Sequence, residues 1–181
     1  MALNKATFKT RALTALVFCL VMLAGLLIGP WTFFILFSII HFGCWVEFQS
    51  LVGKIDPDYA AITPFHRYGV MVAGWCMMLY FTNDAFTIFG VTLHALGWWL
   101  GLTFAFVLPI IELLFAKNIQ LKNIGHSVFG LIYISLSWGL MMDLRVMFMG
   151  LEEGNEKVYV DTGWYIPLVL IVAMWINDTM A

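Results

Sequence analysis

The chain has 181 residues, of which 62% are hydrophobic and 11% charged, with a formal net charge of −2 and a mean hydropathy of +0.92. A soluble domain carries about 25% charged residues, and a globule of this size leaves much of its surface exposed, so a water-soluble fold is excluded and the solvent is largely lipid. No block of like charge is present, which argues against a nucleic-acid partner.

The expected fold class is all-α, a polytopic integral membrane protein forming a single membrane domain over 1–181. About 20 apolar residues cross a bilayer as helix, and a helix satisfies its own backbone hydrogen bonds there. Six spans are predicted, at roughly 11–29, 31–50, 67–83, 87–116, 124–143 and 162–181. The first follows a basic start (Lys5, Lys9, Arg11) that a signal peptide would share, but no A-x-A site follows it. It reads as an uncleaved helix, meeting the second span in a tight hairpin at Gly29-Pro30. The third and fourth meet near Asn83-Asp84. The fourth, at about 30 residues, is overlong: it must tilt, break around Gly90 to Gly97, or bend at Pro109.

Basic residues set the orientation. With the N-terminus in the cytoplasm, Lys5, Lys9, Arg11, Lys54, Arg67, Lys117 and Lys122 lie inside, and Arg145 and Lys157 outside. Seven of the nine cations are then cytoplasmic. The sixth span runs inward and carries Asp178 about 24 Å along its axis, in the cytoplasmic third of the bilayer.

An ionisable residue inside a span is costly and marks a functional hypothesis. Glu47, Glu112 and Asp178 qualify, all towards cytoplasmic helix ends. Glu47 and Glu112 can equally reach interfacial water or pair with nearby cations. Asp178 comes with Asn177 and Thr179, oxygen and amide donors that suit a hard cation such as Mg²⁺. Trp175, Asp178 and Thr179 share a helix face. A polar helix terminus accounts for the same residues.

His41, Cys44 and Glu47 follow at three-residue steps, but they drift around the helix and no fourth metal ligand is evident. His94 and His126 read as packing or interface histidines. Ser127, Gly130, Tyr133 and Ser137 form a small and polar stripe suited to close helix packing, or to a polar cavity wall. Cys19, Cys44 and Cys76 read as free thiols in apolar helices. Trp31, Trp45, Trp98, Trp99 and Trp164 fit interfacial belts. The chain contains no G-x-S-x-G elbow, Walker A loop, H-E-x-x-H or G-x-G-x-x-G.

Four segments together carry a resemblance: "FKTRALTALVF", "WVEFQSL", "GHSVFGLIYISLSW" and "WINDTMA". Their order and spacing resemble the bacterial phosphatidate cytidylyltransferases, or CDP-diacylglycerol synthases. "WINDTMA" is the most specific, being similar to the start of that family's W-x-x-D-T-x-A-Y segment. The resemblance implies transfer of a cytidylyl group from CTP to phosphatidic acid, giving CDP-diacylglycerol and pyrophosphate. It also implies Mg²⁺ as cofactor, Asp178 as catalytic residue and metal ligand, an inner-membrane location, and compatibility with a homodimer. The family's later glycine-rich stretch, S-P-K-K-T-x-E-G loop and Lys/Asp/His/Gly-rich signature have no counterpart here. The chain is therefore expected to be an N-terminal portion, inactive by itself. The rival expectation is a non-enzymatic membrane scaffold or transporter subunit.

Overall fold

The structure, a computed structural model, describes residues 5–115, 120–147 and 161–180. It is built of helices: α1 (Lys5–Leu27), α2 (Pro30–Ile55), the short α3 (Pro57–Ala60), α4 (Pro64–Tyr80), α5 (Leu93–Phe115), α6 (Leu121–Gly130), α7 (Ser137–Met147) and α8 (Tyr165–Met180). A π-helical turn, Leu131–Leu136, joins α6 to α7 as one continuous rod. Among the described residues, four segments are long and apolar enough to span a membrane: Lys9–Leu27, Pro30–Ile55, Leu93–Leu114 and Leu121–Met147. The helical membrane class expected from composition is observed. The α4 and α8 helices are shorter, and α8 is apolar over Tyr165–Asp178.

Helix starts follow local chemistry. Pro30, Pro57 and Pro64 each open a helix, where a missing N–H costs nothing. Asp56 caps α3 by accepting from the Asp58 N–H at 3.3 Å, and Thr63 caps α4 by accepting from the His66 N–H at 3.1 Å.

The fourth expected span requires correction. Residues 87–92 are not helical: Thr87–Ile88 (β1) and Val91–Thr92 (β2) pair antiparallel across a two-residue turn. Phe89 and Gly90 both have positive φ, 51° and 82°, as a type I′ hairpin turn requires. The helix begins only at Leu93, and Pro109 lies inside it.

The long helices alternate in direction. The near end holds the start of α1, the α2–α4 connection, the end of α5 and the start of α6. The far end holds the α1–α2 turn, the β-hairpin, the end of α7 and the start of α8. An aromatic core fills the far half, with Phe33, Phe34, Phe37, Met78, Leu79, Phe86 and Met142 buried together. A smaller core around Trp45, Val70, Met71 and Ile134 continues towards the near end. Trp45 is thus fully buried and donates to the Ser135 hydroxyl at 2.9 Å. It is a core residue, unlike Trp31, Trp98 and Trp99, which are exposed as interfacial residues would be.

Candidate functional site

The near end gathers polar side chains from four elements. Tyr59 comes from α3, Thr63 and His66 from the start of α4, Glu112 from α5 and Ser127 from α6. The His66 Nδ1 lies 3.3 Å from the Glu112 Oε1, and its Nε2 lies 2.7 Å from the Ser127 hydroxyl. Thr63 donates to the other Glu112 oxygen at 3.1 Å, and the Tyr59 hydroxyl lies 3.4 Å from that of Ser127. One proton arrangement satisfies every contact. Tyr59 donates to Ser127, Ser127 to His66 Nε2, and His66 Nδ1–H to Glu112. Burial pushes the Tyr59 phenol above its ordinary value, which keeps it a donor.

A second group adjoins this chain. The Asp56 carboxylate receives the Lys122 ammonium at 2.7 Å and lies 3.1 Å from His126 Nε2. The hydrogen bond from Lys122 is the main cause holding the Asp56 carboxyl below its usual range, against the opposing effect of burial. The two groups together fasten α3 and the start of α4 to the start of α6. Beside them the near end presents Lys54 and Arg67, with one Arg67 nitrogen donating to the Ala60 carbonyl at 3.2 Å.

Above this polar floor a cavity of about 490 Å³ rises between α4, α5 and α6. His66, Glu112 and Ser127 line one extremity, and mostly apolar residues the remainder, with Tyr80 and Trp98 towards the other end.

The three acids singled out from sequence do not converge. Glu112 joins the polar chain. Glu47 is exposed on α2. Asp178 is exposed in the last turns of α8, and no described side chain donates to it. His41 is buried and turned towards Ser135, 3.0 Å away, so it shares no ligand cluster with Glu47. Among the described residues no three His, Cys, Asp or Glu side chains gather as a metal site. Among the described residues, the donor set that Asp178 offers is thus one carboxylate. That fits Mg²⁺ shared with substrate phosphates, which needs only one or two protein carboxylates. It does not fit an all-protein cage.

The stripe on the fifth span divides. Ser127 and Gly130 are buried, whereas Tyr133 and Ser137 face outward. The π-turn shifts the register, so Ile134 and Ser135 take the inward positions instead. The residues absent from the sequence reading are Asp56, Tyr59, Thr63 and His66. The Asp-Pro and Thr-Pro cap signatures were a usable signal for a structured connection there.

No curated protein and no solved structure matches the chain. A model of the cytidylyltransferase family matches residues 9–181. That match covers nearly all of the apolar helical chain just described, from the first span to "WINDTMA", and so this membrane protein belongs to the cytidylyltransferase family.

Proposed function

We propose that the protein serves phosphatidate cytidylyl transfer, joining CTP and phosphatidic acid into CDP-diacylglycerol with release of pyrophosphate. The observation that carries the reading is the family match over 9–181; Asp178, exposed in the last turns of α8 and without a side-chain donor among the described residues, is the acid it assigns to the site. On this reading the protein lies in a bacterial inner membrane with six spans and a cytoplasmic N-terminus. The near end then faces the cytosol, where CTP is found and where the lipid phosphate meets water.

In the reaction, a phosphatidate oxygen attacks the α-phosphorus of CTP. The bond from that phosphorus to its bridging oxygen breaks, and the electron pair leaves with pyrophosphate. Such chemistry depends on positioning and on neutralising charge. Lys54 and Arg67 are near-end cations that can meet the anionic substrates. Asp178 would hold Mg²⁺, which when bound supplies Lewis-acid stabilisation of phosphoryl oxygens.

The test is Asp178→Asn in membranes carrying the full-length protein, scored by CTP- and phosphatidate-dependent pyrophosphate release. Transfer should fall by about a hundredfold or more, the scale of losing one electrostatic stabiliser. Near-normal turnover would remove Asp178 from the site.

A further inference from the structure

We infer that the cavity between α4, α5 and α6 is the subsite for one acyl chain of phosphatidic acid, and that Gly101 and Ala105 set the chain it accepts. This rests on the phosphatidate reading above.

The cavity owes its existence to two helices that lean on a third without closing on each other. The α5 helix packs along α4, and the α6–α7 rod packs on α4 through its π-turn, while α5 and α6 make no comparable contact. Small residues widen the gap. Gly97, Gly101 and Ala105 recur every four residues on one face of α5, opposite Ala73 of α4. At Gly97 the helices touch, since an added Cβ would lie 2.6 Å from the Tyr80 backbone nitrogen. At Gly101 they have parted: a Cβ would meet only the Cys76 Cβ, at an ordinary 3.6 Å.

The gap is open towards the bilayer, with Trp98, Ile124 and Val128 on its rim 48%, 39% and 46% exposed. An apolar recess facing lipid is filled by the apolar medium around it. The polarity is that of a single-headed lipid. His66, Glu112 and Ser127 occur only at the near extremity, and Lys122, on the first turn of the helix supplying Ser127, lies outside the lining, 63% exposed and paired with Asp56 at 2.7 Å. From Glu112 to Trp98 the wall runs about 21 Å along α5. One leaflet of the hydrocarbon core is about 15 Å deep, so a chain and its glycerol match that length.

The experiment photolabels the full-length protein in vesicles with phosphatidate bearing a diazirine near the end of one chain, and measures turnover against chain length. Label should fall on the α4 and α5 residues lining the cavity, and Gly101→Leu should remove it. With a dioleoyl substrate, Gly101→Leu should raise KM about tenfold, the effect of losing about two buried methylenes. With a dihexanoyl substrate KM and kcat should stay within about twofold. Ala105→Leu, melting like the wild type, serves if Gly101→Leu does not fold. Label elsewhere overturns the subsite. Equal labelling by a diazirine diacylglycerol shows an unselective lipid groove and overturns it too. Phosphatidate-selective label in the cavity without turnover on any phosphatidate refutes cytidylyl transfer while leaving the subsite standing.

Discussion

Ser127 shows how much one hydroxyl holds at the near end. It lies within hydrogen-bonding reach of both the His66 ring and the Tyr59 phenol, and all three residues are buried. Removing it leaves two buried polar groups without a partner, each costing about 1–3 kcal/mol. Ser127→Ala should therefore lower the melting temperature in detergent by several degrees, whereas Ser137→Ala, on the exposed side of the same rod, should not. Gly74 is constrained differently. A Cβ there would stand 2.1 Å from the Ser135 hydroxyl and 3.1 Å from the Trp45 indole nitrogen. Gly74→Ala should destabilise by about 1–3 kcal/mol through overpacking, read as an earlier thermal transition. The cost of a carboxylate inside a span made Glu112 visible in the sequence. Its partner His66 stood 46 positions away with no periodic signal to join them. Only tertiary packing of α4 on α5 makes the pair.

At the scale of elements, hydropathy located the long helices because lipid imposes one requirement on all of them. It could not locate the hairpin at 87–92, whose residues are as apolar as those of the helix that follows. Turn chemistry would ordinarily mark such a hairpin with Asn-Gly or Asp-Gly, but here Phe89 fills the first position, wholly exposed. Gly90 alone carried the signal. The join between α7 and α8 has a clearer cause. Arg145, 1% exposed near the end of α7, donates both terminal nitrogens to Asp161 at 2.5 and 2.6 Å, and its guanidinium lies 5.9 Å from the centre of the Phe33 ring. The Arg145 guanidinium holds the Asp161 carboxyl below its ordinary value. A depressed folded value means the pair's contribution is complete above the unfolded pKa and is lost as pH falls through the folded one. Stability should therefore decline on acidification below about pH 4. Asp161→Asn should be less stable than wild type at neutral pH and should lose that part of the acid dependence, as measured by melts across pH.

The whole molecule is polarised between its ends, and its function depends on which end meets the cytosol. The far end is knit by aromatic packing around Phe33, Phe37 and Phe86, with the Arg145–Asp161 clamp at its edge. The near end is knit by hydrogen bonds and ion pairs and carries the exposed cations. On the cytidylyl-transfer reading proposed above, CTP and a lipid phosphate meet at one surface and that near end belongs in the cytosol; the seven-to-two distribution of cations calls for the same orientation. With Cys19, Cys44 and Cys76 changed to alanine, single cysteines at Asp58 and Asn83 report the two ends. A membrane-impermeant maleimide should label Asn83→Cys in intact spheroplasts and Asp58→Cys only in inverted vesicles. The reverse pattern would put the polar cluster, Asp178 and the cavity mouth outside, away from any nucleotide. It would overturn the cytidylyl-transfer site while leaving the helical arrangement intact, because packing fixes which loops share an end and only the loop charges choose the side.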